Sequence, residues 1–193
     1  NGTLTTNGTK IAGQMVGSTF TGSPASYDGN ATALAIVPSS YTVQNTKLTE
    51  DGVTEYTINT DTAVVVPGSA DSDIPLTLSS AGGTVTLTED LVLINLQGKN
   101  YTPALELGGA SNRAVTVNGS GTLTAIGAAN KDYSYGIVGL YRGGFSVNGA
   151  KVIAIGGTAS NKSYGIGYSV NVNVSSGSVV AIGGSASGSS YGI

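Results

Sequence analysis

The chain has 193 residues, of which 39% are hydrophobic and only 10% charged, with 30 glycines, no histidine, no cysteine and a formal net charge of −3. This is enough for one domain with a buried core, and the missing residue types exclude disulfides, thiol chemistry, and histidine-based triads or metal sites. The eight Lys and Arg are scattered, which argues against nucleic acid as a partner, and no run of about eighteen apolar residues supplies a membrane span.

Val and Thr favour strands while Gly and Asn favour turns. No segment carries a long apolar helical period, so almost no helix is expected. From the N terminus, "NGTKIAG" ends at Gly13, "ALAIVPS" at Ser39, "YTINTDTAVVVPG" at Gly68 and "TVTLTEDLVLINLQG" at Gly98. Each is a short apolar or Thr-rich run that stops at a turn residue. From Gly121 the pattern becomes explicit. "GTLTAIGAANKDYSYGI" starts at Gly121, "AKVIAIGGTASNKSYGI" at Ala150 and "GSVVAIGGSASGSSYGI" at Gly177. Their glycines Gly127, Gly156 and Gly183 are 29 and 27 residues apart. A further strand-like piece precedes each repeat: "AVTVNG" from Ala114, "FSVNGA" from Phe145 and "VNVSSG" from Val172.

A fixed period of this length signals a solenoid or a propeller. Three short strands per period are too few for a propeller blade, and the leucine offsets of a leucine-rich repeat are missing. The predicted fold is all-β: a right-handed parallel β-helix with about three short strands per coil of 27–30 residues and six to seven coils. It forms one domain over residues 1–193, with divergent N-terminal coils in 1–83 and regular repeats in 84–193. Equal spacing places Ile94, Leu123, Val152 and Val179 in one inward column and Leu96, Ala125, Ala154 and Ala181 in the next. Val85, Val115, Phe145 and Val172 form another, beside Leu87, Val117, Val147 and Val174. Stacking buries apolar faces that no single coil could bury alone. No cap sequence is apparent at either end. The chain is therefore read as cut from a longer repeat protein, or as a fibre subunit whose uncapped ends self-associate by strand addition.

The stretches "VNGSGTLTAIG", "VNGAKVIAIGG" and "VSSGSVVAIGG" resemble the Gly-rich repeats of large bacterial surface proteins, in the pectate-lyase-like group of right-handed β-helices. The likeness covers Thr84–Ile193, and "SYGI" departs from the usual glycine-rich loop end. The resemblance implies an adhesin-like or carbohydrate-binding surface protein, outside the cell or on its surface, with a polysaccharide or cell-surface glycan as partner. A low charge content and a hydroxyl-rich surface point to the same location.

Catalysis on such a fold needs clustered carboxylates with a nearby Arg or Lys, or a close carboxylate pair. No acidic residue is expected to recur at equivalent positions of adjacent coils. Asp71 and Asp73 form the best local pair, and solvation of a loop accounts for it as well as a cation does. Neither an enzyme nor a metal or other cofactor is expected. Arg113 and Arg142, 29 residues apart, either stack on neighbouring coils to meet an acidic sugar or end solvated loops. Tyr135, Tyr164 and Tyr191 recur once per coil. At the ~4.8 Å rise of a coil, such a row either stacks on sugar faces or on itself. As a glycan site it must face solvent, and the candidate ligand-binding set is Tyr135, Tyr164, Tyr191, Arg113 and Arg142. Ile126, Ile155 and Ile182 make an apolar strip. It turns inward at the Gly corner, or another segment or subunit covers it.

Overall fold

The computed structural model describes residues 3–5, 10–12, 25–26, 42–44, 48, 53–66, 74–78, 82–97, 101, 103–108, 114–129, 132–139, 144–168 and 170–193. The predicted turns at Gly13, Ser39, Gly68 and Gly98 lie outside them. Among the described residues every regular element is a strand.

From Thr42 onward the chain is a parallel β-solenoid with three sheets. The first sheet stacks Glu55–Ile58, Gly83–Leu87, Ala114–Gly119, Gly144–Asn148 and Asn171–Val174. The second stacks Thr42–Gln44, Thr62–Val66, Leu91–Asn95, Thr122–Ile126, Lys151–Ile155 and Ser178–Ile182. The third stacks Leu76–Leu78, Leu105–Leu107, Tyr133–Gly139, Lys162–Gly167 and Ser189–Tyr191. All pairs in these sheets are parallel. The solenoid has about four turns, fewer than the six to seven expected. The difference lies at the N terminus. There Thr3–Thr5, Lys10–Ala12 and Ala25–Ser26 pair antiparallel in a separate three-stranded sheet, not as stacked rungs.

Inward side chains from the three sheets meet in one core. Val85, Leu87, Val117 and Phe145 come from the first sheet, Leu93, Leu123 and Val152 from the second, and Leu105, Ile137 and Ile166 from the third. Such burial contributes about 25 cal/mol per Å² of apolar surface. From Leu123 on, the expected columns are observed: Leu123, Val152 and Val179 pair in sequence, as do Ala125, Ala154 and Ala181. One coil earlier the register differs. Leu91, not Ile94, pairs with Leu123, at an offset of 32 residues, and Val85 pairs with Val117, not Val115. The slip arises between the third and first sheets. Leu76 pairs with Leu105 at an offset of 29, but Thr84 pairs with Thr116 at 32, so the connection from Leu107 to Ala114 is three residues longer than its predecessor.

An odd slip exchanges the two faces of a strand. Ile94 therefore leaves the main core and joins Ala63, Val65, Val92 and Ile126 in a second cluster, against which Leu96 and Ile155 pack. These residues alternate with the core residues Val64, Leu91, Leu93 and Ala125, so the cluster lies on the outer face of the second sheet. Ile126 is thus not turned inward at the Gly127 corner. The column opens toward the C terminus, from Ile94 at 0% exposure to Ile182 at 41%.

Adjacent corners use two devices. Gly119, Gly149 and Gly177 take φ of +105°, +88° and +85° where the first sheet turns into the second, a region open chiefly to glycine. In earlier coils aspartate serves there. Asp61 and Asp90 occupy equivalent positions, because Thr62 pairs with Leu91. The expectation that no carboxylate recurs in adjacent coils is therefore corrected. The Asp61 carboxylate accepts the Asp90 N–H at 3.1 Å, and the Asp90 carboxylate accepts the Thr122 N–H at 2.7 Å.

Candidate functional site

The repeated Ser-Tyr-Gly-Ile lies in the third sheet, within Tyr133–Gly139 and Lys162–Gly167, just past the corner from the second sheet, and each residue has its own task. Ser134 is buried; its hydroxyl donates to the Ala128 carbonyl at 2.6 Å and accepts the Gly157 N–H of the next coil at 2.7 Å. Ser163 repeats the arrangement with the Gly157 carbonyl at 2.6 Å and the Gly184 N–H at 2.8 Å. Gly165 lies against backbone: a Cβ there would stand 2.4 Å from the Ile182 nitrogen and 2.8 Å from the Ala154 oxygen. Ile137 and Ile166 enter the core.

The tyrosines stack on the outside of this corner. Tyr135 and Tyr164 have ring centroids 5.2 Å apart at an interplanar angle of 11°, and Tyr164 and Tyr191 are 5.0 Å apart at 15°. The centroid spacing is set by the rise between coils. The rings therefore cover one another's faces. The row is not uniformly open: Tyr135 is 1% exposed, Tyr164 is half-buried and Tyr191 is 40% exposed. Burial, then the neighbouring hydroxyls of Tyr101, Tyr164, Tyr168 and Tyr133, push the Tyr135 hydroxyl well above its ordinary range.

Tyr101 and Tyr168 extend the row at its Tyr135 end. Tyr101 stacks on Tyr133 at 5.5 Å and lies nearly parallel to Tyr135 at 6.2 Å, whereas Tyr168 meets Tyr135 at 6.3 Å and 76°. With Glu106 and Val138 these rings line a cleft of about 200 Å³. Glu106 faces outward between the core residues Leu105 and Leu107. Burial raises its carboxyl above the ordinary carboxylate value. Beside the cleft, the Asn161 amide donates to the Asp132 carboxylate at 3.1 Å and to the Tyr133 hydroxyl at 3.2 Å.

The structure thus brings Tyr135, Tyr164 and Tyr191 together. Arg113, Arg142, Asp71 and Asp73 lie outside the described residues. No group of three metal-ligating side chains occurs among those described. Tyr101 and Glu106 were not legible as site residues, because "KNYTPALEL" lacks the repeat signature and only the coil stacking delivers it to the tyrosine row. Comparison with protein-family models, with curated proteins and with solved structures found no match.

Proposed function

We propose that the chain is a non-catalytic, carbohydrate-binding solenoid of an extracellular or cell-surface protein, used in the manner of an adhesin. The observation that carries this reading is the tyrosine row, one ring per coil at 5.0–5.2 Å. Because the faces cover each other, Tyr164 and Tyr191 offer ring edges and hydroxyls at a regular spacing. An extended polysaccharide repeats on a comparable length scale and can meet such an array with hydroxyl hydrogen bonds and C–H contacts to the rings. The likeness to Gly-rich bacterial surface repeats supports the location and the glycan partner. The lack of histidine and cysteine supports binding over catalysis.

A glycan array probed with the wild-type chain and with a Tyr164→Ala/Tyr191→Ala variant tests the reading. Selective glycan binding that falls at least about tenfold in the variant is expected, about 1.4 kcal/mol of contact. Binding to no glycan, or equal binding by both proteins, refutes it. Turnover of polygalacturonate by the wild-type chain refutes the non-catalytic part.

A further inference from the structure

We propose that the cleft formed by Tyr101, Glu106, Tyr135 and Tyr168 is a binding site for an organic ammonium group, a quaternary or methylated amine. The cleft adjoins the glycan row and shares Tyr135 with it, and the inference does not depend on that row binding sugar.

The ring geometry supplies the first argument. Tyr101 lies within 20° of the Tyr135 plane and Tyr168 stands at 76° to it; with Tyr135 closed off at 1% exposure, the open ring surface of the cleft comes from Tyr101 and Tyr168 in these two orientations. Aromatic faces carry negative quadrupole potential and attract cations, most strongly where water is partly excluded. Glu106 supplies the second. Its carboxylate is half-buried in the same cleft, and no described residue pairs with it or donates a hydrogen bond to it. Partial desolvation of a carboxylate is costly, and a bound cation relieves that cost. The raised carboxyl pKa agrees with this electrostatic picture.

Backbone conformation supplies the third. Among the described residues only Tyr101, with φ +60°, and Tyr168, with φ +68°, are non-glycine residues in the left-handed region. Tyrosine adopts it at a cost of order 1–3 kcal/mol. Both strained residues line this one cleft, and both remain open to solvent, at 51% and 57% exposure. The strain holds both rings against Tyr135 while leaving much of each open to solvent, as a wall held ready for a ligand requires. Size selects the ligand class. About 200 Å³ is below the ~300–1,000 Å³ of sites for drug-sized molecules, and it suits one small head group.

Titration of the whole chain by calorimetry and by NMR of the tyrosine ring signals tests the inference. The probes are tetramethylammonium, choline and 3,3-dimethyl-1-butanol, the uncharged shape match of choline. Saturable binding of both cations is expected, with the neutral alcohol at least about tenfold weaker. Glu106→Gln and Tyr168→Ala should each weaken choline about tenfold, while Ser176→Ala leaves it unchanged. Glu106→Gln preserves shape, so it keeps the test valid if Tyr168→Ala perturbs the fold. Trimethyllysine and phosphocholine, added separately, identify the source: binding of either supports the site. No saturation by either cation, equal binding of the neutral alcohol, or wild-type affinity in Glu106→Gln overturns the proposal. None of these outcomes bears on glycan-array binding, which fails or succeeds separately.

Discussion

Replacing Ser134 by alanine removes a single oxygen from a buried corner and with it two hydrogen bonds. The Ala128 carbonyl loses a donor at 2.6 Å and the Gly157 N–H loses an acceptor at 2.7 Å. Leaving a buried backbone group without its partner costs about 1–3 kcal/mol. Partial relaxation of the Ala128 carbonyl places the total near the lower half of the sum, about 3 kcal/mol. For a chain of this size each kcal/mol shifts the melting temperature by about 2–4 °C, so a drop of about 6–12 °C is expected. Differential scanning calorimetry checks it, with Ser176→Ala as the reference. The Ser176 hydroxyl donates to Asn148 at 2.9 Å on the exposed surface, and its loss should cost no more than about 0.5 kcal/mol. Ser134 and Ser163 both engage Gly157, one through its N–H and the other through its carbonyl. Their double variant should therefore be non-additive by about 0.5–3 kcal/mol. A melting shift in Ser134→Ala no larger than that of Ser176→Ala refutes the corner argument, as does strict additivity of the pair.

Gly165→Ala should be at least as damaging, about 3 kcal/mol or loss of folding altogether, because the new methyl would meet backbone atoms at 2.4–2.8 Å; far-UV circular dichroism in urea reads it. Along the outer apolar column, Ile94→Ala should cost about 2–5 kcal/mol and Ile182→Ala less than about 1 kcal/mol, since the former is fully buried and the latter 41% exposed; equal costs in chemical denaturation contradict the gradient. Burial raises the Glu106 carboxyl, so the folded state holds this proton more tightly than the unfolded state, and its contribution to stability is present at low pH and lost as pH rises through the raised value. Glu106→Gln should therefore melt above the wild type at pH near 7, the gap narrowing toward about pH 4; a gap independent of pH in a calorimetric series rejects that account.

Three features of the fold were determined by the sequence alone. Recurrence of Ala-Ile before Gly127, Gly156 and Gly183, each at the end of a short apolar run, required stacked parallel coils, since each short strand buries its apolar side chains only on a like neighbour. Inward columns from Leu123 onward followed directly, because there the coils differ by whole rungs with no odd slip. Among the described residues every regular element is a strand, in line with the lack of a 3.6-residue apolar period. Tertiary structure decided the rest. The longer connection from Leu107 to Ala114 is invisible to a periodic reading, yet its three residues move Ile94 from the core to the outer face of the second sheet. Antiparallel pairing near the N terminus likewise depends on partners that a similar local pattern does not specify. The tyrosine repeat was legible as a row, but not its unequal exposure: Tyr135 is closed off by Tyr101 and Tyr168, which lie outside the repeat. Glu106 joins them because strand pairing sets it beside Val138, 32 residues away. A column follows from a repeat, whereas a cleft depends on the non-repeating residues that stacking brings to its edge.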